Sequence, residues 1–388
     1  MKDNLHEAVI VSYGRSPMAK AVKGSFRNMH PVEYGAQVLK SVVNKVPNLN
    51  LKEIGDVIVG CSKPELVQGY NIARLTLLRA ELPYDIPGVT VNRFCASGLQ
   101  AISIAANMIK VGEAEIVVAG GIESMSMLPM GSDYSTRNEW LVNNSPNAYV
   151  PMGITAENVA EKFLVERIDM EKMSVESHKR AYKAQQAGKF KDEIIPIEVT
   201  DSNGNKKIVD EDECIRANSS LESLTNLKPA FKEDGKVTAA TASQMSDAAG
   251  FVVLMSREKS EELGVKPIAK FLGYSVTGVD PALMGIGPIE AVPKVMKLTG
   301  LNIDDMDTIE INEAFAAQAI PCINELKFNE RIVNPNGGAI ALGHPLGATG
   351  VILMCKALSE LERINGKYGL ITMCVGGGMG AASVVEKL

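Results

Sequence analysis

Two cysteines, a histidine and an asparagine are the residues of this chain best suited to covalent and proton-transfer chemistry. Cys95 lies in Gly88-Val-Thr-Val-Asn-Arg-Phe-Cys95-Ala-Ser-Gly-Leu-Gln-Ala-Ile102, where a β-branched run gives way to small and apolar residues at helical spacing. That pattern puts a thiol at a helix N-terminus, whose free N–H groups and partial positive charge favour thiolate over thiol. An ordinary cysteine is only roughly 3% thiolate at neutral pH, so a fall of ~2 units in pKa, worth ~2.7 kcal/mol, would make it mostly nucleophile. Taken alone, a single cysteine is more often a small buried hydrophobe.

His344 sits in Asn336-Gly-Gly-Ala-Ile-Ala-Leu-Gly-His344-Pro-Leu-Gly-Ala-Thr-Gly350, a run whose glycines cost conformational entropy and add no core contacts. Such density is expected where backbone approaches a ligand or another chain closely, and a histidine there is a natural general base. Cys374 follows the strand pattern Leu370-Ile-Thr-Met373 and precedes Val-Gly-Gly-Gly-Met-Gly380. Its glycine-rich neighbourhood offers N–H groups for an anion nest or oxyanion hole, with Gly376 to Gly378 allowing close approach. Asn312, in Asn312-Glu-Ala-Phe-Ala-Ala317 at the end of the strand pattern Thr308–Ile311, adds an amide that could orient a water or a histidine; by itself it reads as a helix N-cap.

The elements that must position these residues occur twice. A strand leading to a turn opens each half, at Ala8–Pro17 and Ala269–Pro281, and an amphipathic helix follows, at 31–46 and 288–298. A second strand comes next, at Asp56–Gly60 and Asp307–Ile311. Val91-Asn92 and Val333-Asn334 then open segments of small residues, each running into a helix and a strand that ends in glycines, at Glu115–Gly121 and Gly369–Gly378. The offset of about 250 residues argues for a duplicated α/β unit. Under this repeat His344 occupies the same kind of helix start as Cys95, so two units packed face to face would bring both to one site.

The repeat also locates an insertion. The last strand of the second half, Ala381–Glu386, has its counterpart at Ala249–Met255, far beyond the glycines at 120 and 121. The chain therefore divides into a first unit (1–121 plus 243–266), an insert (122–242) and a second unit (267–388). Met, Ser and Asn are frequent in the insert between Met125 and Tyr149, and a helical stretch is expected from Thr155 to Gln186, acidic early and basic late. A long insertion between paired strands supplies a lid or a binding surface.

Composition narrows the classes. With 388 residues, 46% of them hydrophobic and 22% charged, the chain can bury a large core. A net charge of −6 without basic runs excludes the footprint of a nucleic-acid binder. The acidic start, Met1-Lys-Asp-Asn-Leu-His-Glu7, is unlike a signal peptide, no segment suits a membrane span, and Glu386-Lys-Leu388 only approximates a peroxisomal tripeptide. Cysteines at 61, 95, 214, 322, 355 and 374 form no Cys-x-x-Cys pair, so no metal is expected and a reducing cytoplasm is the simplest setting. His6, His30 and His178 read as surface or satisfied structural residues.

Together the segments around Cys95, Asn312, His344 and Cys374 resemble the thiolase family, and the resemblance covers the whole chain. It implies the thiolase fold: duplicated mixed-sheet α/β units packed as αβαβα layers, with an inserted loop domain that holds coenzyme A. By resemblance, Cys95 attacks a thioester or 3-keto group and carries the acyl chain, His344 takes its proton, and Cys374 moves the proton on the α-carbon of acetyl-CoA. The resemblance assigns one oxyanion hole to a water held by Asn312 together with His344, and a second to the N–H groups of Cys95 and Gly376. It places Met152, Arg216, Ser223, Phe231, Ser243 and Phe315 against coenzyme A, which is a substrate, no permanently bound cofactor being implied. A homodimer or homotetramer is implied, with a β-oxidation subunit as a further partner.

Three positions depart from the family pattern. Ala240-Thr241 stands for Gly-Asn, Asp247-Ala-Ala-Gly250 for Asp-Gly-Ala-Ala, and Arg15-Ser-Pro17 for Arg-Thr-Pro. If either missing glycine required a positive φ, alanine would strain the pantetheine loop. Pro151, where biosynthetic members carry histidine, together with Val67–Arg74 and Ala319–Cys322, resembles the degradative 3-ketoacyl-CoA thiolases. The alternatives are a biosynthetic acetyl-CoA acetyltransferase making acetoacetyl-CoA, a ketoacyl-synthase-like condensing enzyme, a non-catalytic acyl-CoA binder and a redox-responsive scaffold. The second of these normally pairs its cysteine with two histidines, and the last leaves the His344 and Asn312 segments without a purpose.

Overall fold

The structure, a computed structural model, describes residues 5–128, 136–200 and 203–388; the first four residues and part of the Met125–Tyr149 stretch lie outside it. The first unit contributes β1 (Ala8–Arg15), β2 (Ile54–Gly60), β3 (Gly88–Val91), β4 (Ile116–Ser124) and β5 (Ser246–Ser256). The second contributes β6 (Ala269–Gly278), β7 (Thr308–Ile311), β8 (Tyr368–Val375) and β9 (Met379–Lys387). Helices that bear on the site are α1 (Pro31–Asn44), α2 (Ile72–Arg79), α3 (Ser97–Lys110), α4 (Met152–Lys162), α5 (Arg167–Gln186), α6 (Gly287–Thr299), α7 (Ala316–Glu325), α8 (Ala339–Leu342) and α9 (Leu346–Ile364).

Strands run in the order β7-β8-β9-β6-β1-β5-β4-β2-β3. Pairing within the halves is the same: β2 with β4 and β7 with β8 are parallel, while β4-β5-β1 and β8-β9-β6 are antiparallel. Even the short edge is repeated, since Val91 pairs with Gly60 and Val333 bridges Ile309, both parallel. The halves join through Val9 opposite Lys270 and Ile10 opposite Ala269.

The layers follow from which faces are apolar. Residues of α1 and α2, among them Tyr34, Leu39 and Leu77, cover one outer face of the sheet, and Val292, Val295 and Cys322 of α6 and α7 cover the other. Between the halves lie α3 and α9, whose Leu99, Ile102, Val351 and Leu358 share a core with Val117, Leu254 and Ile371. This is the αβαβα arrangement. Every residue of α9 from Leu346 to Leu361 is buried, as expected of a helix with no polar face. Its buried Lys356 is paired with Glu310, and Glu360 accepts from Asn336 at 2.6 Å.

The central helices touch through glycine. A Cβ on Gly98 would stand 2.8 Å from the Gly347 carbonyl oxygen, and one on Gly350 would stand 2.5 Å from the Leu99 nitrogen. The glycine density around His344 therefore serves a backbone-to-backbone crossing with the helix that Cys95 precedes. Gly120 and Gly121 have a similar use. They do not end their strand, which continues to Ser124; added Cβ atoms there would meet Phe251 at 2.2 Å and the Gly347 oxygen at 2.4 Å.

Chain leaving β4 returns at β5, where Ser124 pairs with Asp247. The expected single helix from Thr155 to Gln186 is two, α4 and α5, because Leu164 takes a left-handed conformation (φ 53°) between them. A hairpin of Ile197–Thr200 and Lys206–Val209 follows. Fully buried Arg15 at the end of β1 ties this region down, donating to Asp212 at 2.7 and 2.9 Å and to Glu193 at 2.9 Å. Helix α5 lies against α7 and α8, the elements flanking Asn312 and His344.

Candidate active site

Cys95 lies in a short 3-10 turn, Phe94–Ala96, that runs directly into α3. Phe94 has φ 43°, a strained value for a bulky residue that persists only where neighbours impose it. Here Asn92 Oδ1 accepts from Phe94 N–H at 2.8 Å, Ser97 Oγ accepts from Arg93 N–H at 2.9 Å and Ser97 Oγ donates to the Phe94 oxygen at 2.6 Å. The half-buried thiol packs against Ala21, Met125 and Leu346. The N–H groups of Cys95 and Gly376 favour the charged form of its sulfur, as donors of an oxyanion hole at Cys95 would.

The expected lowering of this thiol's pKa does not occur. Burial pushes Cys95 up to about 11, against the pull of the Gly376 N–H. Loss of water outweighs the helix start, because Ala21, Met125 and Leu346 crowd the thiol. Burial likewise lowers His344 to about 4. At neutral pH the thiol and the imidazole are thus both uncharged, the resting forms of a nucleophile activated by an adjacent base.

His344 follows Gly343 (φ 109°) at the end of α8 and is 6% exposed. Its Nδ1 lies 2.6 Å from Thr349 Oγ1 and its Nε2 lies 3.4 Å from Asn312 Nδ2. Both contacts are satisfied when Nδ1–H donates to Thr349 and Nε2 keeps its lone pair toward the amide. Nε2 is then the basic nitrogen. Asn312 is fully buried and its Oδ1 has no hydrogen-bond partner among the described residues, an orphan acceptor of the kind an ordered water satisfies.

Cys374 ends β8, 1% exposed, in a small apolar cluster with Met284, Ala314, Met152 and Phe315. Burial raises its pKa well above the usual thiol range, and charge on Cys95 or Cys322 raises it further. Strand β8, which carries Cys374, packs against the Phe94–Ala96 turn that carries Cys95. Among the described residues no group of three or more His, Cys, Asp and Glu is placed to hold a metal, and no helix is long and apolar enough to cross a membrane.

Comparison with known proteins agrees with this arrangement. The family model described as "Thiolase, N-terminal domain" matches residues 8–258 and "Thiolase, C-terminal domain" matches residues 265–387. The chain belongs to the thiolase family. It is 47% identical to the 3-ketoacyl-CoA thiolase of Bacillus subtilis, covering 98% of this chain and 100% of that protein. Identity to the peroxisomal 3-ketoacyl-CoA thiolase 1 of Arabidopsis thaliana is 43%, over 98% of this thiolase and 88% of the relative. The crystal structure of the Bacillus anthracis acetyl-CoA acetyltransferase superposes with a TM-score of 0.93 at 38% identity, covering 100% of both chains.

Residues expected against coenzyme A fall into two groups in this thiolase. Met152 and Phe315 border Cys374. Phe231 meets Phe315 edge-on at 5.8 Å and lies over Gly153, where a Cβ would approach its ring to 2.1 Å. Ser243 N–H donates to the Ala314 oxygen at 2.9 Å. Exposed Arg216 is adjacent, its Nη2 reaching Gln244 at 3.5 Å. Ser223 is apart from these: its hydroxyl donates to the Ser220 oxygen at 2.7 Å inside a capping turn.

Neither alanine departure is strained, since Ala240 and Ala248 both lie outside the positive-φ region. His178 is buried rather than at the surface, and its Nδ1 accepts from Arg216 N–H at 3.1 Å. Sequence reasoning missed Thr349, Glu123 and Glu313, three buried polar residues around the His344 segment. Thr349 was visible as the only hydroxyl in a run of glycine and apolar residues, and Glu123 as a lone acid beyond an apolar strand.

Proposed function

We propose that this thiolase cleaves 3-ketoacyl-CoA with free CoA, giving acetyl-CoA and an acyl-CoA shortened by the acetyl unit, as a step of fatty-acid degradation. The reading is supported above all by the packing of β8, which carries Cys374, against the turn of Cys95, and by the 3.4 Å contact of His344 with Asn312. Cys95 gives its proton to His344 Nε2 and its sulfur attacks C3. The tetrahedral oxyanion is held by the N–H groups of Cys95 and Gly376. As it collapses the C2–C3 bond breaks, leaving acyl-Cys95 and the enolate of acetyl-CoA.

Cys374 delivers its proton to that carbanion, while imidazolium Nε2–H and a water on Asn312 Oδ1 stabilise the enolate oxygen. Imidazolium His344 then re-protonates Cys374, the incoming CoA thiol gives its proton to the neutral His344 as its sulfur attacks the Cys95 thioester, and His344 passes that proton to the departing Cys95 sulfur. Met125 and Leu346 beside Cys95 suit an alkyl chain, methionine being adaptable in shape. Met152, Phe231, Ser243 and Phe315 are the best-supported contacts for the pantetheine arm, with Arg216 toward the nucleotide; Ser223 has weaker support. The proposed organisation is two units, 1–121 plus 243–266 and 267–388, with an insert, 122–242, whose first three residues complete β4.

A homo-oligomer is proposed with it. Edge strand β3 and the exposed Leu66, Tyr70 and Tyr84 form an apolar margin suited to a second copy, and light scattering should return a dimer or tetramer mass. The six unpaired cysteines fit a cytoplasmic location. The function itself is tested by thiolysis of a substrate series from acetoacetyl-CoA to 3-ketohexadecanoyl-CoA. Comparable kcat/KM on the longer members supports the degradative reading. Activity confined to acetoacetyl-CoA would replace it with the acetyl-CoA acetyltransferase alternative.

A further inference from the structure

Behind the reactive turns lies a buried carboxylate with no assigned role. Glu123, at the end of β4, is 1% exposed. Its Oε2 accepts from Ser62 N–H at 2.8 Å and from Gly347 N–H at 2.8 Å, and its Oε1 accepts from Gln68 Nε2 at 2.8 Å. The Lys63 N–H also bonds it, and Cys61 Sγ lies at 4.0 Å. These are neutral partners. A carboxylate buried without a cation is costly to the fold unless something else is gained.

What it connects suggests the gain. Ser62, Lys63, Gln68 and Glu123 belong to the unit of Cys95, whereas Gly347 is in the first turn of α9, between His344 and Thr349. The near side of the histidine segment has its own anchor in Glu313, which accepts from Ile340 N–H at 3.3 Å, from Ser177 Oγ at 2.6 Å and from Asn334 Nδ2 at 2.7 Å. Glu313 and Ile340 share one unit, so this anchor shapes the segment without setting its distance from Cys95. Glu123 alone of the two crosses between units.

We propose that Glu123 is a positioning residue for Cys95 acylation: by bonding Gly347 N–H from the opposite unit, its carboxylate fixes the His344 imidazole against the Cys95 thiol. The proposal rests on the thiolase reading above. Gly347 leaves no slack, since a Cβ there would stand 2.6 Å from Ser62 N and 2.9 Å from Glu123 Oε2. Small changes at Glu123 therefore pass to the histidine turn.

Single-turnover acetylation of Cys95 by acetyl-CoA, followed by peptide mass, tests this in Glu123→Asp and Glu123→Gln. Aspartate keeps the charge but withdraws the oxygen from Gly347, and glutamine keeps one oxygen for Ser62 and Gly347. Asp should slow acetylation about tenfold or more, misplacement on the ångström scale costing rates of that order, with half-saturating acetyl-CoA unchanged. Gln should restore the rate to within a few-fold of wild type. Wild-type acetylation in Glu123→Asp overturns the proposal, as does a matching loss in half-saturation or a glutamine variant as slow as aspartate. A wild-type enzyme in which Cys95 takes no acetyl group would instead overturn the thiolase reading.

Discussion

Adding one methyl group at Gly350 should separate the two halves of the active site while leaving the fold largely intact. The Cβ of Gly350→Ala would lie 2.5 Å from Leu99 N, 2.7 Å from Leu99 Cβ and 3.1 Å from Leu99 Cα, against ordinary contact beginning at 3.4 Å. No rotamer relieves a clash with backbone, so α3 and α9 must part by about 3.4 − 2.5 = 0.9 Å at this crossing. Two energies oppose one another. Alanine in a helix interior gains about 1 kcal/mol over glycine, and overpacking costs about 1–3 kcal/mol, so net destabilisation is at most about 2 kcal/mol. A shift of that size between Leu99, four residues after Cys95, and the helix that follows His344 should slow acetylation of Cys95 by about 10–100-fold. Single-turnover acetylation and thermal melting would be measured together, with Gly278→Ala, where a Cβ meets nothing within 4 Å, as the control. Wild-type acetylation in folded Gly350→Ala would refute the idea that this crossing sets the thiol–imidazole geometry.

Other outcomes follow from the same geometry. Asn312→Ala should lower kcat in thiolysis by about 10²-fold, as for loss of one oxyanion donor, with KM within a few-fold of wild type. Thr349→Val removes the 2.6 Å partner of His344 Nδ1 and should lower kcat about tenfold by freeing the tautomer; nitrogen NMR of the ring should show mixed tautomers. Because burial lowers His344 to about 4 from an ordinary 6.5, the neutral base persists as pH falls through 6.5. The acid limb of kcat/KM for acetylation should then have its midpoint nearer 4 than 6.5, and a midpoint at 6.5 would contradict the buried, neutral imidazole.

The duplication was legible because each half repeats strand, helix, strand and small-residue segment in the same order, and both halves pair identically. The His344 and Cys374 segments were legible as clusters of glycine around an imidazole and a thiol, that of Cys95 as a thiol at a helix start, and that of Asn312 as an amide at a strand end. What single residues could not reveal was the balance of opposing effects. A helix start alone predicts a more acidic Cys95, but crowding by Ala21, Met125 and Leu346 raises the thiol, and that enclosure has no local signature. Glycines 120 and 121 look like a strand end when read locally; they are mid-strand because α9 and Phe251 crowd them from distant sequence. Leu164 gives no breaker signal, so two helices looked like one. Glu123 escaped notice because its partners lie in other segments.

In the proposed reaction two thiols divide the labour: Cys95 holds the acyl group, and Cys374 moves the carbon-bound proton. Acetyl-CoA incubated with enzyme in deuterated water separates these tasks, because methyl-proton exchange needs the second and acetylation of Cys95 needs only the first. In Cys374→Ala, acetylated Cys95 should form as in wild type while deuterium fails to enter the methyl group. Undiminished exchange in that variant would contradict the account.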